Sequence, residues 1–214
     1  MIWSNSFDNA IAISASKTFE ALPSVFKEII ISFSTFGDNG IFFILVGILL
    51  LFFVKTRKLG LTLLLACVFT LLINDLILKN IFDRARPFED PALVKDLISI
   101  QNNNGLPYGI IPTSNSFPSG HSFTSFFVAG GVLSLYIFDK EERKNYLAPL
   151  IYFSIFAVFM GACRILLSHH YCTDVIAGAL IGFAFGLLTY IILKYLYILF
   201  FKVKDKIQAR TKGE

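Results

Sequence analysis

The chain has 214 residues, of which 55% are hydrophobic and only 16% are charged. A typical soluble domain carries about 25% charged residues, so this composition excludes an ordinary soluble protein and predicts a membrane protein. The net charge of +4 does not suggest a nucleic-acid partner, and the basic C-terminal tail is better suited to anionic lipid headgroups.

The first segment, residues 1–36, precedes the long apolar stretches and is interrupted by charges. It carries too many charged side chains for a helix that faces lipid. We expect interfacial amphipathic helices here, with a degenerate sixth membrane span as the alternative. The charged residues are Asp8, Lys17, Glu20, Lys27 and Glu28.

Five apolar stretches follow and predict five transmembrane helices. A spanning helix needs about 20 mostly apolar residues, whereas the first stretch, residues 40–54, offers only fifteen and must recruit polar ends. The other four stretches are residues 59–78, 122–138, 146–163 and 175–193. The predicted fold is all-α, a polytopic membrane helical bundle of five helices, or six if the N-terminal segment also spans. Its domain is residues 37–201, followed by a basic cytoplasmic tail, residues 202–214.

Lysines and arginines predict the orientation of this bundle. If the spans alternate, one membrane face receives residues 55–58, residues 140–144 and the basic tail, and the positive-inside rule makes that face cytoplasmic. The opposite face receives residues 79–121 and the turn at residues 164–174. We therefore expect a multi-pass protein of a bacterial inner (plasma) membrane, with its polar motifs on the periplasmic or extracellular side.

The sequence SFPSGHSF, residues 116–123, stands at the mouth of the third span. If Pro118 takes the first helical position, the N–H groups of Ser119, Gly120 and His121 point outward unsatisfied at the positive end of the helix dipole. Such an end binds anions, and small residues let an anion come close. A plain helix cap with an interfacial histidine is the alternative interpretation.

The sequence LKNIFDRARPF ends the second span. Lys79 and Arg86 are seven residues apart, so they share one side if the helix persists, and both side chains suit phosphate oxygens. Asp75 and Asp83 each lie four residues from Lys79, and either one can pair with its ammonium. Arg84 is interpreted as facing solvent. The alternative is a positively charged interfacial collar, which leaves unexplained why it lies on the face expected to be poor in positive charge.

The sequence CRILLSHHYCTD ends the fourth span and contains Arg164. His170 and Asp174 are four residues apart, so on a helix the carboxylate sits beside the imidazole. There it fixes the tautomer and raises the basicity of the opposite nitrogen. A helix-end salt bridge is the alternative. His169 would point about 100° away and is interpreted as an interfacial bystander.

Three glycines of the last span, Gly178, Gly182 and Gly186, recur every four residues. This spacing favours close helix packing inside the bundle, with homodimerisation as the alternative. We expect a monomer or a weak homodimer. The three cysteines imply no disulfide framework.

Taken together, these three motifs resemble the type 2 phosphatidic acid phosphatase superfamily, in the membrane lipid phosphatase branch. Its motifs are a lysine, six residues and Arg-Pro; then Pro-Ser-Gly-His; then Ser-Arg, five residues, a histidine, three residues and an aspartate. They stand here at residues 79–87, 118–121 and 163–174, with Cys163 in place of the usual serine. The resemblance covers the chain from about residue 37 to residue 193.

The resemblance implies a role for each motif residue. His170 would be the nucleophile that forms a phosphohistidine, Asp174 would orient it, and His121 would protonate the leaving oxygen. No metal or other cofactor is implied, and the sequence has no carboxylate and histidine cluster at metal-ligand spacing. The residues expected to bind the phosphoryl oxygens are Lys79, Arg86, Ser119, Gly120 and Arg164.

The implied function is an integral-membrane phosphatase that hydrolyses a phosphate monoester or diphosphate ester of a lipid. Undecaprenyl diphosphate is the favoured substrate, beside phosphatidic acid and phosphatidylglycerol phosphate, and lipid A 1-phosphate is the alternative. We assign the choice of headgroup to the connection at residues 88–117. A soluble vanadium haloperoxidase is excluded by the apolar spans. A non-catalytic transporter or scaffold is disfavoured because the sequence shows no internal repeat.

Overall fold

The computed structural model describes residues 5–37, 40–91, 93–94, 97 and 114–199, and this part of the chain contains helices and no strand. The predicted all-α fold is therefore confirmed. A π-helical stretch, Thr70–Leu78, joins the fourth helix to the fifth, and residues 189–199 prolong the eighth. The α-helices of the described residues are α1 (Ser6–Ala21), α2 (Ser24–Phe36), α3 (Ile41–Leu51), α4 (Arg57–Phe69), α5 (Lys79–Phe82), α6 (Gly120–Phe138), α7 (Arg143–Leu166) and α8 (Cys172–Leu187).

Four helical runs of the described residues are long and apolar enough to cross a membrane, namely Val54–Glu89, Gly120–Phe138, Arg143–Leu166 and Cys172–Leu199. The apolar stretch at residues 40–54 is not a fifth span by itself, because α3 has only 11 residues. Helix α3 starts after Gly40, which has a positive φ of 67°, and the extended backbone of Phe53 follows its end. Helices α2 and α3 pass the same test together as a pair bent by 63°, so the described residues contain five candidate spans if this pair is one span.

Helix α6 lies at the centre of the bundle and packs most extensively against α8, then against α7 and α4. The glycines of α8 make this contact close. A Cβ atom on Gly178, Gly182 or Gly186 would lie within 2.4 Å of a backbone carbonyl oxygen of α6 or of its N-cap residue. The predicted close packing is confirmed, and it holds the starts of α6 and α8 side by side.

Helices α1 and α2 pack on α7, and α1 also contacts α8. Ala12 and Phe19 of α1 share an apolar cluster with Leu167 and Tyr171 of the connection between α7 and α8. The N-terminal segment is therefore part of the protein core beside that connection. Its placement relative to the membrane, and the division of the chain at residue 36, stay predictions.

Two predictions concern residues outside the described part of the chain. The basic tail, residues 202–214, falls there completely. The connection at residues 88–117, to which we assign the choice of headgroup, falls there for the most part.

Candidate active site

Lys79 and Arg86 converge on one hydroxyl group. The Nζ atom of Lys79 donates to Ser114 Oγ at 3.0 Å, and Nη2 of Arg86 donates to the same oxygen at 3.3 Å. The helix does not persist to Arg86, because Asp83 ends α5 in the left-handed conformation, with φ of 44°. The chain after Asp83 returns Arg86 to the lysine. Of the two predicted carboxylate partners, Asp75 forms the ion pair with Lys79, at 2.7 Å.

Arg86 also contacts the predicted nucleophile. Its Nη1 atom donates to the carbonyl oxygen of His169 at 2.7 Å and lies 3.1 Å from Nε2 of His170. A guanidinium group only donates hydrogen bonds, so Nε2 of His170 accepts and the ring hydrogen is on Nδ1. Burial lowers the pKa of His170 well below its usual value, and the charges of Arg86, Arg164 and Lys79 lower it further. His170 is therefore a neutral base with its lone pair directed at an arginine.

Asp174 lies on the other side of this imidazole. Nδ1 of His170 is 3.6 Å from Oδ2 of Asp174 and 3.4 Å from Oγ of Ser116, and Ser116 donates to the same carboxylate oxygen at 2.5 Å. His170 precedes α8, so the two residues do not share a helix as expected. Their proximity comes from the helix start, where Asp174 accepts the backbone N–H of Tyr171 at 2.9 Å. The bridging serine was not predicted, although it opens the SFPSGHSF sequence.

The start of α6 differs from the prediction at two residues. Helix α6 begins at Gly120 with Ser119 as its N-cap, so Pro118 is not in the first helical position. The N–H group of Ser119 does not point outward unsatisfied, because it donates to the carbonyl oxygen of Asp174 at 3.0 Å. A Cβ atom on Gly120 would lie 3.8 Å from Nζ of Lys79. The N–H groups of Gly120 and His121 are at the first two positions of α6, and Gly120 lies beside the lysine.

Arg164 lies in the last turn of α7 and is 1% exposed. Its Nη1 atom donates to Oγ of Ser34 in α2 at 2.7 Å. Cys163, which replaces the usual serine, is fully buried in the apolar cluster that α1 and α2 share with α7. The N-terminal helices therefore pack around this motif and hold its arginine.

Two further expectations were wrong. His169 is not an interfacial bystander, because it is 1% exposed and its carbonyl oxygen holds Arg86. Arg84 does not face solvent: it is fully buried, pairs with Asp8 at 2.7 Å and with Asp174, and lies 4.0 Å from the ring centre of Tyr171. The left-handed turn at Asp83 directs it inward.

The arrangement suits an anion that carries a phosphorus atom. Arg86 contacts Nε2 of the neutral His170, and the charges of Arg164 and Lys79 also act on this imidazole. Fixed charges of this kind stabilise the charge that develops during phosphoryl transfer. In the described part of the chain, no group of three or more histidine, cysteine, aspartate or glutamate residues is placed to hold a metal ion.

Helices long enough to span a membrane, with lysine and arginine side chains around a buried histidine at one end, are typical of a class of membrane-embedded phosphatases. The family model described as the PAP2 superfamily matches residues 58–198. The chain belongs to the PAP2 superfamily, which confirms the resemblance and supports a phosphatase.

Two relatives of similar sequence are named as lipid phosphatases. The chain is 30% identical over 191 residues to a lipid A 1-phosphatase of Rhizobium etli, an alignment that covers 79% of this chain and 72% of the relative. It is 32% identical over 139 residues to a lipid A 1-phosphatase of Rhizobium johnstonii, covering 62% of this chain and about half, 48%, of that relative.

A solved structure shares the fold. It is the crystal structure of a transmembrane PAP2-type phosphatidylglycerolphosphate phosphatase from Bacillus subtilis, with a TM-score of 0.58 and 25% sequence identity. The match covers 88% of this chain and 83% of that one. This similarity, with the spans, makes the protein a multi-pass membrane protein.

Proposed function

We propose that the protein is a lipid phosphate phosphatase that works through a phosphohistidine at His170. The observation that carries the proposal is the contact between Arg86 and Nε2 of His170, 3.1 Å apart. It requires a neutral imidazole whose acceptor nitrogen faces the cations that would bind a phosphoryl group. The relatives named above support a lipid as the carrier of that group.

The reaction has two steps in this proposal. Nε2 of His170 attacks phosphorus, a P–N bond forms, and the P–O bond to the lipid breaks while His121 gives a proton to the leaving oxygen. Water then attacks phosphorus, His121 takes back a proton, and the P–N bond breaks to release phosphate. As Nδ1 becomes more acidic during attack, Asp174 and Ser116 stabilise the positive imidazolium from the other side.

The phosphoryl oxygens are assigned to fixed donors rather than to a metal ion. The N–H groups of Gly120 and His121 would contribute beside the cations, whereas Ser119 would act by capping α6 and fixing its start against Asp174. The positive charge of the cationic side chains would take the place of a metal ion, which supports a metal-independent reaction. The cationic donors are Lys79, Arg86 and Arg164.

The substrate is proposed as a class, a phosphate monoester or diphosphate ester of a membrane lipid. Undecaprenyl diphosphate, phosphatidic acid and phosphatidylglycerol phosphate belong to it. Lipid A 1-phosphate is the second candidate, supported by the 30% identity to the Rhizobium etli enzyme of that name. The distribution of lysines and arginines favours the periplasmic or extracellular leaflet. The glycine face of α8 is covered by α6, which favours a monomer.

The test is phosphate release in detergent with a chelator present. Wild-type protein and His170→Ala are compared on undecaprenyl diphosphate, phosphatidic acid, phosphatidylglycerol phosphate and lipid A. Release by the wild type alone supports the reaction and ranks the substrates. If folded wild-type protein releases phosphate only after magnesium is added, the metal-independent part is wrong. If it releases none from any lipid, a non-catalytic membrane module replaces the proposal.

A further inference from the structure

A buried ion-pair network joins helix α1 to the carboxylate of the active site. Asp8 and Arg84 are both fully buried, and Oδ2 of Asp8 accepts from Nη2 of Arg84 at 2.7 Å. The same Asp8 accepts the backbone N–H of Thr173 at 3.0 Å and its hydroxyl at 2.6 Å. Nη1 of Arg84 continues to the Thr173 hydroxyl and to Oδ1 of Asp174.

The two oxygens of Asp174 have different partners. Oδ1 pairs with Arg84, whereas Oδ2 accepts from Ser116 and from the backbone of Tyr171 and faces Nδ1 of His170. A carboxylate rotates easily about its last bond unless both oxygens are held. Arg84 therefore holds the second oxygen and restricts rotation of the carboxylate, while Ser116 and Tyr171 hold the oxygen that faces the imidazole.

Arg84 in turn needs a second anion. A buried charge is costly unless it is paired and hydrogen-bonded, and Arg84 lies between Asp8 on one side and Asp174 on the other. Asp8 holds the guanidinium from the side away from the active site, so that Nη1 stays aligned with Asp174. The first helix of the chain thus contributes a charge on which the geometry of the last motif depends.

We propose that Asp8 is a positioning residue for phosphoryl transfer, acting through Arg84 on Asp174 and so on His170. The inference rests on the proposed function. It assigns a part in the reaction to α1, which lies outside residues 58–198, the part of the chain that the family model matches. Asp8 contacts Asn5, Arg84 and Thr173, which are not among the proposed phosphate-binding residues.

The first experiment replaces the charge and keeps the shape. Asp8→Asn retains an oxygen for the N–H of Thr173 and loses the ion pair with Arg84. We expect kcat on the lipid that wild-type protein hydrolyses best to fall on the order of 10- to 100-fold, the range of coupling between residues of one network. KM should change less than about twofold, because phosphate binding is left intact. Rapid-quench measurement of phosphohistidine formation should locate the loss in the first step.

A matched control distinguishes loss of the Asp8–Arg84 contact from a general loss of packing of α1. Phe19 lies in the same helix, is 1% exposed and belongs to its apolar cluster. Phe19→Ala should lower the midpoint of thermal unfolding and leave kcat within about threefold of wild type, because it removes packing and no charge. Equal losses of kcat in Phe19→Ala and Asp8→Asn would overturn the inference.

Two further sets of variants test the route through Arg84. If Asp8 acts through Arg84, the double variant Asp8→Asn/Arg84→Gln loses no more activity than Arg84→Gln alone, whereas independent roles would multiply the losses. If Asp8→Asn does not fold, Thr173→Val removes the hydroxyl that joins Asp8 to Arg84 and should lower kcat, and Thr173→Ser should recover it. Unchanged kcat in Thr173→Val would then contradict the inference.

Wild-type protein and His170→Ala are assayed in parallel, so that the two proposals fail differently. Active wild type with equally active Asp8→Asn overturns the positioning role alone. Inactive wild type on every lipid overturns the proposed function, and the positioning role with it.

Discussion

Polar clusters lie at both ends of helix α6, and they differ in the partners of their positively charged side chains. At its start, Arg86 and Arg164 hydrogen-bond neutral acceptors, a carbonyl, an imidazole and a hydroxyl. At its end, about 28 Å away for 19 residues at 1.5 Å each, Asp139 accepts from Lys58 at 2.6 Å and from Tyr146 at 3.1 Å. At the start of α6, hydrogen bonds to neutral groups help to position two arginines beside the Lys79–Asp75 pair, whereas at its end the Lys58–Asp139 ion pair ties α4 to the end of α6. The first arrangement suits a ligand and the second suits a helix clamp.

The largest expected effect is at the histidine of the first cluster. His170→Ala removes the proposed nucleophile, and we expect lipid phosphate release to fall by at least about 10³-fold. Size-exclusion chromatography and the thermal-unfolding midpoint serve as controls for folding. A variant that keeps more than a tenth of wild-type activity would remove His170 from the reaction.

The next effect tests the geometry of the arginine rather than its charge. Arg86→Lys keeps one positive charge but loses the planar fork that reaches Ser114, His169 and His170 together. We expect kcat/KM to fall on the order of 10²-fold. Lys58→Arg at the other end is the matched conservative exchange and should leave kcat/KM within about twofold. Equal activity of Arg86→Lys and wild type would mean that charge alone suffices.

The protonation of His170 gives the third test. An ordinary histidine has a pKa of about 6.5, and burial among cations lowers the pKa of His170 well below its usual value. The imidazole of His170 should therefore stay neutral at pH values at which an ordinary histidine becomes protonated, and it should gain its proton only at a lower pH. The chain has three histidines, so ¹⁵N-histidine NMR of wild type and His170→Gln should assign this signal. A midpoint near 6.5 would contradict the buried, cation-flanked site.

The smallest effect is expected at the end cluster. Asp139→Asn removes the ion pair with Lys58, whose side chain is 45% exposed, and weakens a buried hydrogen bond to Tyr146. We expect a loss of about 1 kcal/mol in the free energy of unfolding and activity within about twofold of wild type. A large loss of activity without loss of stability would show that the two ends are coupled.

Local patterns in the sequence predict some of these features and miss others for physical reasons. Glycines four residues apart predict a face of α8, because helical periodicity is a local property, and α6 packs on that face. The ends of helices were predicted less well. Asp83 stops α5 before Arg86, and Ser119 caps α6 after Pro118, since contacts from distant segments decide where a turn forms.

The pairing of Asp8 with Arg84 joins residues 76 positions apart and leaves no periodic signal in either segment. From composition, Asp8 was interpreted as one of the charges that keep the N-terminal segment at the interface. The three motifs predict which residues carry the chemistry. They did not indicate which residues hold Asp174 in place. Arg84 lies between two residues of the first motif, Ser116 precedes the second motif, and Asp8, which pairs with Arg84, lies on α1.

The hydrogen bond from Arg86 to Nε2 of His170 has a consequence for the resting protein. The electron pair that would attack phosphorus is occupied until something draws the guanidinium away. In the proposed reaction, the phosphate group of the substrate would do so, because its oxygens would compete for the same N–H donors and would leave Nε2 of His170 free to attack. Water is neutral, so it competes for these N–H donors more weakly than a charged phosphate does. We therefore expect an anionic substrate to free the nucleophile by binding, and we expect the site to stay inactive toward neutral molecules.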